Sequence, residues 1–348
     1  MEQEADTPIR HIFRWDLDKT YLRTDFDTIR DLIKTALQTP EEKVNVPGAI
    51  ELLRELKRDV DGTRSLVTFI SGSPSQMRDK LERKFELDGI KPDIFILKPT
   101  LRYILKGKFG AVRGQLGYKL DVLLQLRART PIAPETLFGD DAEQDAFIYS
   151  LYSDLVAGRI DIEGLEAILR EAEVHEDASE SILHRAETMT QSDTVDRIFI
   201  HLEERSPPGR FWVFGPRVVP IVNYFQAAVI LFSDGTIDAG AVARVAEGLL
   251  QNYDYGLFEL ANSFEDLMRR RHLESSIVDD LGDALEDELD DLSLPIGFLD
   301  DLIARARALA PRSSQPVREW SGPPDYLEVL KSDQRIRESV QESEGLFS

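Results

Sequence analysis

The chain has 348 residues, of which 42% are hydrophobic and 30% charged, with no cysteine. This is the composition of a soluble globular protein with material for one large domain or two ordinary ones, and it excludes disulfides, thiolate metal sites and cysteine nucleophiles. The net charge of −22 is carried almost wholly after residue 150, so bulk attraction to nucleic acid or anionic lipid is not expected.

The opening residues are acidic and carry no apolar run, so no secretory signal is expected. With no cysteine to suggest an oxidising compartment, the expected location is cytoplasmic. The first predicted strand is HIFRWDL (His11–Leu17), which ends at Asp16, Asp18 and Thr20. VPGAIELLRELKRD follows, with Ile50, Leu53 and Leu56 at helical spacing. The second strand, SLVTFIS (Ser65–Ser71), leads into SGSPSQ, where Ser73 reads as a helix cap, Pro74 as the first helical residue and Gln76 as the partner of a capping box. The third strand is DIFIL (Asp93–Leu97). A basic stretch then holds Lys98, Arg102, Lys106, Lys108, Arg113, Lys119, Arg127 and Arg129 against one acid, Asp121. It reads equally as a guide for an anionic ligand and as a solvated face. A helix is predicted from about Lys119 in KLDVLLQLRAR, and the fourth strand, TLF (Thr136–Phe138), opens onto GDDAEQD with Asp140, Asp141 and Asp145.

Strands alternating with helices predict an α/β fold with a Rossmann-like parallel sheet over residues 8–210. Residues 158–194 read as a helical insertion before a fifth strand, RIFIHL (Arg197–Leu202). Two Ile-Asp pairs, at Asp161 and Asp238, read as helix caps. Phe211–Phe232 is as long as a membrane span, but Arg217, Asn223, Gln226 and two prolines make it a buried helix instead, so no transmembrane segment is expected. Residues 211–310 read as an acidic all-α domain and 311–348 as an irregular tail.

Ligands of an open parallel sheet bind beyond the carboxyl ends of its strands. There Asp16, Asp18, Thr20, Ser71, Asp140 and Asp145 would converge, with Lys119 on a flanking helix. These groups suit phosphoryl transfer through a covalent carboxylate. Asp16 would attack phosphorus, and Asp18 would protonate the leaving group and then activate water. Clustered carboxylates need a cation, so Asp16, Asp140 and Asp145, with Asp18 beside them, would hold Mg²⁺. Thr20, Ser71, Lys119 and the backbone around Gly72 would receive the phosphate oxygens. Singly, most of these residues have duller readings: Ser71 and Ser73 as caps, Asp141 as a cap or supporting group, Lys119 as a surface lysine. The five histidines form no metal-like pattern.

In order and spacing, DLDKT, FIS, Lys119 and GDDAEQD resemble the four motifs of haloacid dehalogenase superfamily phosphatases. VNVPGAIELLREL, FISGSPSQ, KLDVLLQL and FGDDAEQDAFIYSLY are similar to the App1-type, lipin-like phosphatidate phosphatases. Lys19 stands where that family usually has Asp, and Asp141 where it usually has Ser; the insertion at 158–194 is additional. The resemblance implies a Mg²⁺-dependent phosphatase acting on phosphatidate or another lipid phosphate, peripheral to a membrane and with no large cap between Asp18 and Ser71. A soluble, nucleotide or protein phosphoester is the alternative substrate, and a non-catalytic lipid-phosphate-binding module the alternative function.

Overall fold

The computed structural model describes residues 7–23, 39, 44–98, 111–285, 292–310, 317–333 and 335, with the backbone alone for 111–114. Six strands form one sheet in the order β3-β2-β1-β4-β5-β6, and every neighbouring pair is parallel. They are β1 (Ile9–Asp16), β2 (Arg64–Pro74), β3 (Ile94–Lys98), β4 (Glu135–Asp140), β5 (Val195–His201) and β6 (Val218–Ile221).

Alternation along each strand sends side chains to two buried faces, as in a parallel sheet covered on both sides. One face carries Phe13, Trp15, Phe69, Phe138, Phe199 and Ile221 and is covered by α1 (Ala49–Leu56) and α2 (Arg78–Leu87). The same hydrophobic cluster continues into α7 (Tyr224–Ser233), α8 (Ala239–Asn252), α9 (Leu257–Arg269), α10 (Ile277–Leu285) and α11 (Phe298–Leu309). The other face carries Ile70, Leu137, Ile198 and Ile200 under α3 (Ala111–Arg127), α4 (Asp145–Val156), α5 (Ile162–Glu171) and α6 (Glu176–Thr188). Trp15 stacks on Phe138 at 4.0 Å and on Tyr224 at 5.3 Å, tying sheet to α7 directly below the site end.

The α/β architecture and the helical insertion are as expected, and Asp161 and Asp238 cap α5 and α8 through Gly164 N and Ala241 N. The boundary at 210/211 is not a structural break. β6 lies inside the segment expected to be all helical, and the helices after it share one core with the sheet. VVPI is the edge strand, where a proline that lacks an N–H is tolerated. Asn223 and Gln226, which argued against a membrane span, are satisfied within the protein: Asn223 caps α7, and Gln226 Nε2 donates to Ser263 O and to Asp266 Oδ2. Among the described residues no helix is long and apolar enough to cross a membrane.

The tail is not wholly irregular. Residues 326–333 are helical, Tyr326 OH donates to Asp154 Oδ2 at 2.6 Å, and the Arg159 and Arg217 guanidiniums lie over Trp320.

Candidate active site

β1, β2 and β4 end together. Asp16 is level with Ile70, and Trp15 with Phe138, so Asp16, Ser71 and Asp140 emerge at one edge. After Asp16 the chain turns at once. Leu17 O accepts from the N–H groups of Tyr21 and Leu22, and Lys19 adopts the left-handed region at φ 58°. That turn is pinned from three directions: Tyr224 OH donates to Thr20 O at 2.7 Å, Tyr21 OH to Asp88 Oδ2 at 2.7 Å, and His201 Nδ1 lies 3.1 Å from Lys19 O.

Below the turn lies an acidic cluster. Asp16, Asp140, Glu143 and Asp145 each offer a carboxylate oxygen, all within 4.8 Å of one another. The Lys119 ammonium, fully buried, lies 2.9 Å from Asp16 Oδ1, 2.6 Å from Glu143 Oε2 and 2.5 Å from Asp145 Oδ1. Asp140 Oδ1 accepts from the N–H groups of Ala142 and Glu143, and Thr20 Oγ1 is 3.5 Å from Asp140 Oδ2. Gly139 makes this packing possible, because a Cβ there would sit 2.4 Å from Asp145 Oδ2.

One ammonium does not balance four carboxylates. Burial, against the pull of Lys119, lifts the Asp16 carboxyl well above the usual range; burial and then the charges of Asp145 and Glu143 do the same for Asp140. Asp145 is pushed up to about 6, again chiefly by burial. Burial alone would lower Lys119, but Asp145, Asp16 and Glu143 outweigh it and hold the ammonium well above its ordinary value. Asp16 Oδ2 is buried with no hydrogen-bond partner among the described residues. An orphaned carboxylate oxygen among three further carboxylates fits a hard divalent cation with oxygen ligands.

Several expected positions differ. Asp18 is not in the metal-capable cluster: its Oδ2 accepts from Ser71 Oγ at 3.0 Å and Ser73 Oγ at 2.8 Å. The Ser71 hydroxyl is therefore turned to Asp18. Ser73 caps no helix, because β2 continues through Pro74, which pairs with Lys98 of β3 beyond a bulge, and α2 begins only at Arg78. Gly72 lies between the serines, with the Gln115 carboxamide near where a Cβ would be. Lys119 is mid-helix in α3, not at its head. Asp141 has its supporting role, accepting from Glu204 N and Ser206 N at 2.8 Å each.

Of the described basic side chains in that stretch, Lys98 joins Lys119 near the site: its ammonium lies 5.4 Å over the Tyr118 ring, and Tyr118 OH donates to Ser71 O. Arg127 is at the opposite end of the sheet, paired at 2.8 Å with buried Glu135, which also accepts from Arg14 and Tyr152. Arg102, Lys106 and Lys108 lie outside the described residues, as does most of the segment between Asp18 and the start of α1. Sequence reasoning missed Glu143 and the Ser73–Asp18 contact. Glu143 stood in view in GDDAEQD, but only the turn after β4 shows that it faces Lys119.

Residues 15–162 match the family model described as phosphatidate phosphatase APP1, catalytic domain. No curated protein and no solved structure matches the chain. The matched segment runs from the residue before Asp16 into α5, and so contains the whole cluster. Over that segment, which is less than half of the chain, the protein is similar to the App1-type phosphatidate phosphatases.

Proposed function

From that similarity over residues 15–162 we propose that the protein is a Mg²⁺-dependent phosphatase that hydrolyses a lipid phosphate of the phosphatidate type through an aspartyl-phosphate on Asp16. The observation that carries the reading is the cluster at the ends of β1 and β4: Asp16 against Lys119, with Asp140, Glu143 and Asp145 beside it. A cation held by those four carboxylates would neutralise the phosphoryl group's charge.

The chain's own residues divide the remaining work. Asp16, at a strand end and fixed by Lys119, presents a carboxylate oxygen to phosphorus. Lys119 holds three carboxylates in place and supplies positive charge where a phosphoryl oxygen would sit. Asp18 stands two residues further on, close enough to serve the leaving oxygen and then water. Thr20, held over Asp140, and the backbone around Gly72 line the phosphate's side of the pocket. Asp141, Tyr224 and Asp88 act at a distance by fixing the loops that carry these groups.

The test is a panel of phosphoesters assayed with Mg²⁺ and with chelator, including phosphatidate in mixed micelles, a short-chain phosphatidate, an aryl phosphate and a nucleotide. Hydrolysis of micellar phosphatidate above the soluble esters supports the reading. A preference for nucleotide or sugar phosphates would leave the phosphatase chemistry standing and reject the lipid substrate. Binding of phosphatidate without turnover would favour the non-catalytic module.

A further inference from the structure

We propose that Ser73 is a positioning residue for the acid/base Asp18; this rests on the phosphatase reading above and goes one residue beyond its motifs. β2 runs on to Pro74 past a bulge after Ser71, and in that bulged stretch Ser71 and Ser73 both turn their hydroxyls to Asp18, in the turn after β1. Both hydroxyls reach the same atom, Asp18 Oδ2, at 3.0 and 2.8 Å. Ser73 N donates to Ser71 Oγ at 2.9 Å, which leaves the Ser71 proton for Asp18.

Two donors on one carboxylate oxygen set the rotation of the Asp18 side chain. Hydrogen bonds to a charged acceptor are roughly twice as strong as neutral ones, so the pair forms a firm bracket. Ser71 is at the motif position that binds phosphate in the resembled superfamily, and a phosphoryl oxygen would compete for its hydroxyl. Ser73 is one strand step further along and is buried, with 3% of its surface exposed. It would hold Asp18 through both half-reactions.

An Asp16 oxygen attacks phosphorus, the bond from phosphorus to the leaving oxygen breaks with its electron pair, and that oxygen takes a proton from Asp18. Water then attacks the phosphoryl group and gives a proton to Asp18; the Asp16–phosphorus bond breaks and inorganic phosphate leaves. A misaligned Asp18 hurts the first step only when the leaving group needs a proton, and hurts the second step always.

Ser73→Ala is assayed with 4-nitrophenyl phosphate and with an alkyl phosphate, by steady-state kinetics and rapid quench, beside wild type, Ser73→Thr and Asp18→Asn. The expected result is a 10- to 100-fold fall in kcat for the alkyl ester and phosphorylation by the aryl ester within about threefold of wild type. A burst of nitrophenolate with phosphoenzyme build-up should follow, and Ser73→Thr should restore all three. The alkyl-to-aryl ratio is internal to each preparation, so partial unfolding cancels from it. An unchanged alkyl-to-aryl ratio of phosphorylation rates, no phosphoenzyme build-up, or no recovery in Ser73→Thr overturns the assignment, while wild-type turnover through Asp16 leaves the phosphatase reading intact. Absence of turnover in wild type on every phosphoester rejects that reading and the assignment together.

Discussion

Asp140 and Asp141 are adjacent carboxylates with different work, and metal-linked stability should separate them. Asp140 is one of four carboxylates facing a common point, while Asp141 is spent on the N–H groups of Glu204 and Ser206. A cation that binds only the folded protein stabilises it by RT ln(1 + [L]/Kd), about 2.7 kcal/mol at a hundred times Kd. Unfolding entropy of about 2.1 cal/mol/K per residue gives roughly 0.7 kcal/mol/K for a chain of 348 residues. Saturating Mg²⁺ should therefore raise the Tm of wild type by about 4 °C over the chelator-treated protein. Asp140→Asn should lose most of that increment. Asp141→Asn should keep it, although its own Tm falls because two backbone donors lose a charged acceptor, a loss of roughly 1–3 kcal/mol. Differential scanning fluorimetry with Mg²⁺ and with chelator gives all six values. Equal Mg²⁺ increments in the two variants would refute the division of labour.

Three further outcomes follow from single contacts. Glu135→Gln strips the counter-charge from buried Arg14 and Arg127 and should cost about 3–5 kcal/mol in urea unfolding, with kcat unchanged because Glu135 starts β4 at the end opposite Asp140. Gly139→Ala should lower activity about 10²-fold without unfolding the sheet, since the new Cβ displaces Asp145. His272 is buried with neither ring nitrogen hydrogen-bonded among the described residues, and burial, aided by Arg270, pushes it down to about 3. The unfolded chain takes up a proton below about pH 6.5 and the folded chain does not until about pH 3, so each pH unit lost in that window removes about 1.4 kcal/mol. His272→Leu should flatten that limb relative to wild type, read from unfolding curves at pH 7, 5.5 and 4.5.

The strand ends were legible because apolar, β-branched runs stop abruptly at Asp16, Ser71 and Asp140, and a buried parallel sheet has no other way to write itself. The helix carrying Lys119 was legible only in its second half. GAVRGQLGYK is too rich in glycine to read as helix, yet α3 starts at Ala111; Gly117 is accepted there because Val174 and Ala178 pack so closely that a Cβ would lie 2.9 Å from Val174 Cγ1. That contact comes from the insertion and is invisible to local propensity. SGSPSQ has every mark of a helix start, but pairing of Pro74 with Lys98 keeps it in the sheet and converts a cap serine into a partner of Asp18. β6 was hidden inside an apolar run whose proline signals a helix boundary and an edge strand equally well. Spacing names the acidic motif, but which of its carboxylates turns inward depends on the backbone after β4, and so Glu143 could not be read.

Two aspartates stand two residues apart at the end of β1, and the proposed mechanism gives them different work, Asp16 as nucleophile and Asp18 as acid and base. Asp16 is buried beside Lys119 in the cluster; Asp18 is partly exposed and bracketed by two serine hydroxyls. If Asp16 attacks phosphorus, Asp16→Asn has no adequate nucleophile, and no phosphoenzyme should form with any ester. Asp18→Asn keeps the nucleophile, so an aryl phosphate, whose leaving group needs no proton, should still phosphorylate it. The second step should then stall, because nothing activates water, and general acid–base help of about 10²–10⁴-fold is lost from that step. The aspartyl-phosphate should accumulate. Intact-mass measurement after rapid quench would find the added phosphoryl group in Asp18→Asn and not in Asp16→Asn, with circular dichroism showing both folded. A phosphorylated Asp16→Asn protein would reject Asp16 as the nucleophile, and the functional reading of the cluster with it.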